Sequence, residues 1–210
     1  MKIIGLGHYS RTGKDSLANY LIQDLRSSGL VAKKIPFAWK LKQICHDLYA
    51  WDGLREPEFY DTTDGEKFRD IKLPTIGKTP VEIWVAMGTP AVRNNVYMDT
   101  WINFVLKSDH QADVIVIPDV RFPNEIQAVR DAGGWLAKIV RPGYGPRDTV
   151  ADRALVGYDG WDAVIGGSGK MSELERWALD LSDSISGDLP YPVQTREAML
   201  AALAVEKISG

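Results

Sequence analysis

Apolar residues in this chain follow two alternating rhythms. Short unbroken apolar runs, "KIIGLG" at Lys2–Gly7 and "DVIVIPD" at 113–119, read as strands buried on both faces. Between them the spacing changes to four. Leu17, Leu21 and Leu25 lay one apolar stripe along a helix over 15–28, with Gly29 as its stop. "VAKKIPFA" predicts a second strand, and Trp39–Tyr49 the helix after it. The stretch 52–78 is polar and irregular and reads as an insertion over the sheet. Thr79-Pro80 opens a helix that runs to about residue 94, and another covers 97–106. Pro123 takes the first position of a short helix ending at Gly133-Gly134. "WLAKIVR" and "DAVIGG" add two strands around the loop "PGYGPRDTVADR". Helices are expected over 171–181 and, after "SGDLPYP", in "TREAMLAALAVEKI". Strands separated by helices require parallel crossovers, so the fold class is α/β with a parallel sheet of about five strands.

Composition narrows the setting. The 210 residues suffice for one well-buried domain, and a net charge of −3 gives no electrostatic support for a nucleic-acid or membrane partner. Cys45 is the only cysteine, which excludes an internal disulfide and a multi-cysteine metal site and fits a reducing compartment. The apolar "IIGL" after Lys2 is too short for a signal peptide, and no apolar run approaches the roughly 20 residues that span a bilayer. The expectation is a soluble, cytoplasmic protein.

The first candidate chemistry lies in "GLGHYSRTGKDS", between the first strand and the first helix. A phosphate-binding loop follows G-x-x-x-x-G-K and then serine or threonine. Here His8 stands at the first glycine position, Gly7 is one place early, and Asp15 occupies the hydroxyl position. Gly-Lys alone means little, because the chain has it also at Gly77-Lys78 and Gly169-Lys170. The second copy reads as a helix start at Thr79-Pro80. The third has Val164, inside a strand, at the first-glycine position, so its loop is too short to wrap a phosphate. Only the first copy has strand, long loop, Gly-Lys and helix in order. There the backbone N–H groups of the loop and of the helix start can face an anion, with Lys14 reaching the β- and γ-phosphates. "GLGHYS" also approaches a dinucleotide-binding turn, but Ser10 replaces its third glycine and no acid ends the second strand. A plain structural turn is the remaining reading.

The second constellation is "VIVIPDVRFPNE". Asp119 follows a buried strand at its C-terminal end, where ligands collect in parallel sheets, and can hold magnesium directly or through water. Arg121, two residues on, can grip a phosphate with its planar fork. A simple ion pair closing the strand end is the alternative. Arginines are also supplied by the insertion (Arg69), by the helix begun at Thr79 (Arg93), and by the Gly/Pro-rich loop (Arg141, Arg147, Arg153). Phosphoryl transfer between two polyanions needs several cations, because charge spreads over the equatorial oxygens.

Taken in order, "SRTGKDSLA", "FAWKLKQI", "IGKTPVEIWVAMGTPAVRNN", Trp101, "DVRFPNEIQAVRDAGGWLAKIVRPG" and "WDAVIGGSGKMSELERW" resemble the deoxynucleoside monophosphate kinases of tailed phages. The resemblance runs from Met1 to about Leu181, and that family tends to carry Asp after the loop lysine with a hydroxyl residue next, here Asp15 and Ser16. It implies one phosphate-loop kinase domain over 1–190, with 52–78 as a substrate-side insertion, 142–157 as an arginine-rich lid, and a C-terminal helix in 191–210. It also implies ATP and Mg2+, with γ-phosphoryl transfer to a deoxynucleoside 5′-monophosphate. Gly7, Arg11, Thr12, Gly13, Lys14, Asp15 and Ser16 would hold the ATP phosphates. Asp15, Ser16 and Asp119 would hold the metal, and Lys14, Arg121, Arg141 and Arg147 would act in catalysis. Lys42, Arg69, Arg93, Trp101, Asp119, Arg121 and Glu125 are the implied acceptor residues. A homodimer is left open.

Two departures from the family stand out. His8 replaces a frequent glycine, and Thr149, Val150, Ala151 and Asp152 stand where many relatives have a His-x-Ser-Glu run. The animal-type phosphomevalonate kinases are similar too, in Gly-Lys-Asp, a Phe-Arg-Asp insertion and an Asp-x-Arg strand end. A nucleotide-binding protein without turnover is the alternative from another class.

Overall fold

The computed structural model describes residues 1–147, 149–166 and 170–192, together with Leu200 and Ala204. The elements in chain order begin with β1 (Lys2–Gly7), α1 (Lys14–Ser27), β2 (Ala32–Lys34), α2 (Trp39–Tyr49), α3 (Thr63–Glu66), α4 (Pro80–Ala86) and α5 (Thr100–Lys107). They continue with β3 (Val114–Ile117), α6 (Pro123–Asp131), β4 (Trp135–Ile139), α7 (Val150–Arg153), β5 (Ala163–Ile165) and α8 (Met171–Ser186). The chain divides into two compact units, Met1–Pro36 with Asp109–Gly210, and Phe37–Ser108.

The first unit carries the sheet. Its five strands run parallel in the order β2-β3-β1-β4-β5, with Ile4 opposite both Val116 and Trp135, and Ala137 opposite Ala163. Every residue of β3 and β4 is buried, as covering both faces requires. One face takes Leu17, Leu21 and Leu25 of α1 with Leu174, Ala178, Leu181 and Ile185 of α8, packed with Ile4, Leu6, Val116 and Ile139. The chain leaves β1 toward β2 and leaves β3 toward β4, so the neighbouring strands β1 and β3 send their crossovers in opposite directions. Their C-terminal ends therefore form the switch point at which open parallel sheets bind ligands.

Most predicted elements are present, and the differences have local causes. The second strand is only three residues long. Ile35 still donates to the Val116 carbonyl at 3.0 Å, but Pro36 has no N–H to continue the ladder. Helix α8 runs on to Ser186 rather than stopping near 181, because Ile185 extends the apolar face of Leu181 by one turn before Gly187. The expected C-terminal helix and Gly167, Ser168 and Gly169 lie outside the described residues, apart from Leu200 and Ala204, which are helical.

The second unit is helical. Thr79 and Glu82 form a reciprocal capping box at the start of α4, with bonds of 3.1 and 2.7 Å, as the Thr-Pro start predicts. Beyond Ala86 the helix widens into a π segment over Met87–Arg93, which contains Pro90 and so lacks one intrahelical donor. The next helix starts at Thr100, not 97, because Val96 and Tyr97 both turn back onto the Val92 carbonyl. The polar stretch 52–78 is built of short turns and α3. The buried Asp52 carboxylate fixes its end by accepting from the N–H groups of Thr75 and Ile76, the latter at 2.8 Å.

Candidate active site

The loop from β1 to α1 is shaped by close packing at one end and by left-handed backbone at the other. A Cβ on Gly7 would lie 2.4 Å from the Trp161 ring, so any other residue at the strand end would have to displace that ring. Gly13 is the N-cap of α1 at φ 105°, a conformation that disfavours other residues, and Arg11 also has a positive φ of 62°. Between them Thr12 donates to the Tyr9 carbonyl at 3.1 Å.

Lys14 opens α1 and is only 5% exposed. Its ammonium donates to the Tyr9 carbonyl and lies 3.4 Å from the Thr12 hydroxyl, so it is held inside the loop. Burial, and then repulsion from Arg121, lower its pKa from 10.5 to about 7 against the opposing pull of Asp15, Asp152 and Asp119. His8 is buried beside Tyr9, ring centroids 3.8 Å apart, and its nearest polar neighbour is the Leu155 backbone. Burial, and then Lys138, Lys14 and Arg121, hold its pKa down to about 3, so the ring is neutral at pH 7.

The end of β3 supplies the second wall. The Val120 N–H still donates to the Leu6 carbonyl at 3.2 Å, which pins Asp119 and Arg121 beside the loop. Glu125, at the third position of α6, is buried and accepts from the N–H groups of Arg121 (2.7 Å) and Phe122 (3.0 Å). Its carboxylate therefore holds the backbone that presents Arg121. The Arg121 guanidinium donates through Nη2 to the Ser10 hydroxyl at 3.0 Å and through Nη1 to Asp152. Arg147 also meets Asp152, with its backbone N–H at 3.3 Å and Nε at 3.4 Å. Arg141 stacks over Tyr144 and donates to the Arg11 carbonyl at 3.3 Å. Lys14 is thus part of the loop, Arg121 and Arg141 bond to it directly, and Arg147 is linked to it through Asp152 and Arg121.

The metal candidates differ in setting. Asp15 is largely exposed, with Lys34 at 3.5 Å, Ser16 is half-buried in the first turn of α1, and Asp119 is half-buried. A hydroxyl and carboxylates are hard oxygen donors of the kind magnesium takes. Among the described residues no group of three His, Cys, Asp or Glu side chains could hold a metal by itself. Magnesium here would complete its shell from phosphate oxygens and water, which is its habit at nucleotide sites.

The remaining predicted residues belong to the second unit. Arg69 donates to the Tyr60 carbonyl through Nε (3.0 Å) and Nη2 (2.7 Å), with Asp61 at 3.1 Å. Arg93 is buried on the π segment, and Lys42 lies over the Trp84 ring, 5.0 Å from its centroid. Trp101 is buried, and its indole donates to the Gly88 carbonyl at 3.1 Å, so it braces the segment that carries Arg93. Sequence reasoning missed Ser10 and Asp152. The signal for Asp152 was Thr149 three residues earlier, whose hydroxyl accepts from the Asp152 N–H at 3.2 Å as an N-cap does.

A parallel sheet whose first strand runs through a glycine-rich loop into Gly-Lys at a helix start, with an acid and an arginine after the neighbouring strand, defines a phosphate-loop α/β protein of the kinase type. No family model matches the chain. Among curated proteins, it is 31% identical over 178 residues to a protein of Acanthamoeba polyphaga mimivirus provisionally named deoxynucleotide monophosphate kinase, covering 76% of this chain and 86% of that one. It is 23% identical over 234 residues to the deoxynucleotide monophosphate kinase of Enterobacteria phage T4, covering 83% of this chain and 95% of that one. The chain belongs to the deoxynucleotide monophosphate kinase family. Among the described residues no helix is long and apolar enough to cross a membrane.

Proposed function

We propose that the chain transfers the γ-phosphoryl group of ATP to a deoxynucleoside 5′-monophosphate, giving ADP and the deoxynucleoside diphosphate. Membership of the family gives the reaction class. The observation that carries the site is the bond from Ser10 of the loop to Arg121 beyond β3, which ties a phosphate-gripping fork to the donor loop. In this reading the N–H groups of the loop and of the start of α1 hold the donor phosphates, and Lys14 moves from the Tyr9 carbonyl to their oxygens. Arg121 orients the acceptor phosphate for in-line attack, and Arg141 and Arg147 offset the charge that spreads over the transferred group. The acceptor is already an anionic oxygen nucleophile at neutral pH, so no general base is required. Ser16, Asp15 and Asp119 would hold Mg2+, which when bound neutralises phosphate charge. Arg69, Arg93 and Lys42 are assigned to the acceptor, and Trp101 and Glu125 act on it through the residues they hold. The site is one for free nucleotides, in keeping with a cytoplasmic enzyme.

Neither a phosphomevalonate kinase nor a non-catalytic nucleotide-binding protein is favoured, since both named relatives are deoxynucleotide kinases. The test is ADP release from Mg·ATP with each of the four common deoxynucleoside monophosphates, their ribo counterparts and phosphomevalonate. Turnover with at least one deoxynucleotide, and less with its ribonucleotide, is expected. Turnover only with phosphomevalonate, or none with any acceptor, overturns the assignment.

A further inference from the structure

Asp152 is 2% exposed, and a carboxylate so deeply buried is costly unless it is paired. Its partners are two arginines from different parts of the fold. One oxygen accepts from Arg121 Nη1 beyond β3. The other faces the backbone N–H (3.3 Å) and Nε (3.4 Å) of Arg147. Arg121 and Arg147 are 25% and 59% exposed at their side chains, so each keeps donors in reach of solvent while the acid behind them is shut off from it. Arg121 spends a second donor on Ser10. A guanidinium has five N–H donors, so two fixed bonds on different nitrogens set its plane and leave three donors for an oxyanion. Thr149 caps the turn that presents the acid.

An acid beside a polyphosphate site repels its ligand, even though this one also favours the charged form of Lys14. Its presence there calls for a compensating role, and the pairing supplies one. We propose that Asp152 is a positioning residue of the phosphoryl-transfer site, fixing the Arg121 fork against the donor loop and tethering Arg147 to the same carboxylate. It touches no substrate and acts through the two arginines. This inference rests on the kinase reading given above.

The test combines kinetics with a signal that needs no turnover. Asp152→Asn keeps the shape and removes the charge, and Asp152→Ser, which admits water, is the second variant should the amide fail to fold. In the full chain, nitrogen-detected NMR of arginine side chains should show slowed guanidinium rotation at Arg121, assigned by its loss in Arg121→Ala, and fast averaged rotation once the acid is gone. With Mg·ATP and the preferred deoxynucleotide, kcat should fall by about tenfold to a hundredfold, the range that mispositioned groups cost. In an Arg121→Ala background the same substitution should cost clearly less than in wild type, because one of the two partners it positions is already absent. Unchanged Arg121 rotation in a folded variant, kcat within about twofold of wild type, or fully additive losses overturn the proposal. If the wild-type chain turns over no acceptor, the kinase reading fails, and the NMR signal alone decides whether Asp152 fixes Arg121.

Discussion

Removing the loop lysine is expected to abolish activity and to stabilise the protein. Folding takes Lys14 from 10.5 to about 7 because its ammonium leaves water for a site where its hydrogen-bond partners are neutral oxygens. At pH 7 this difference costs the folded state about 4 kcal/mol, since each unit is worth about 1.4 kcal/mol. The bonds to the Tyr9 carbonyl and the Thr12 hydroxyl return about 1 kcal/mol each. Lys14→Met fills similar space without a charge, and Thr12 still donates to the Tyr9 carbonyl. A net gain of about 2 kcal/mol follows, or roughly 4–8 °C in melting temperature for a chain of this size. The sign of its pH dependence is fixed. The unfolded chain binds more protons at Lys14 between about 7 and 10.5, so wild-type stability rises with pH across that window, and by pH 9 the cost of Lys14 has dropped to about 2 kcal/mol. Urea unfolding of both proteins at pH 7, 8 and 9, without nucleotide and with magnesium chelated, reads the difference. The variant's advantage should shrink toward zero. A variant less stable than wild type at pH 7, or a difference that does not change with pH, refutes the account of Lys14 as a buried, desolvated cation.

Other perturbations test other parts of the site. His8 is held neutral by burial and three cations, so folding lowers its proton affinity; wild type should lose stability as pH falls from 6.5 toward 3, and His8→Gln should flatten that loss in acid-titrated melts. Gly7→Ala sets a methyl against the Trp161 ring and should cost about 1–3 kcal/mol by urea unfolding, whereas an unchanged midpoint would mean the ring is free to move aside. Arg121→Ala should lower kcat at least as far as Asp152→Asn does and also raise the KM for the monophosphate, and normal kinetics with early melting would mark it as structural. Lys170→Ala, in the last Gly-Lys, should leave turnover within about twofold of wild type, because the sequence between Ile165 of β5 and Lys170 is too short to wrap a phosphate.

What the sequence disclosed follows from the range of each interaction. The strands "KIIGLG" and "VIVI" and the Leu17, Leu21, Leu25 stripe were legible because burial on both faces or on one face writes its period directly into neighbouring residues. The short β2 was overread, since apolar residues continue past the proline that ends its ladder. Within the candidate site, Lys14 and Arg121 were picked out from local spacing. Asp152 was not, because its main partner is 31 residues away and the pairing exists only once β3 and the arginine-rich loop have folded together. Glu125 was legible as part of Phe-Pro-Asn-Glu, yet its use was not: the same spacing that suggests a motif also puts a carboxylate at the third position of a helix, where it binds the N–H groups before it.

The displaced first glycine of the loop has the same kind of explanation. Two demands meet at the end of β1, and the usual pattern assumes they fall on one residue. Here the packing demand falls on Gly7, where the Trp161 ring occupies the place a Cβ would take. The next position is then free to carry a side chain, provided the chain buries it, and His8 turns into the space beside Tyr9 and Trp161. A permanently charged residue there would add a fourth positive charge to Lys14, Lys138 and Arg121. Imidazole can fill the volume and shed its proton, which those three cations and its burial force it to do. An aliphatic residue would meet the same electrostatic condition, so the neutral ring explains why histidine is tolerated, not why it is required. The other half of the loop, from Ser10 to Lys14, keeps the left-handed Gly13 and a helix start of the kind that suits an anion. The register of the glycine is thus set by a tryptophan that lies 154 residues later in the chain, beyond the reach of any local pattern.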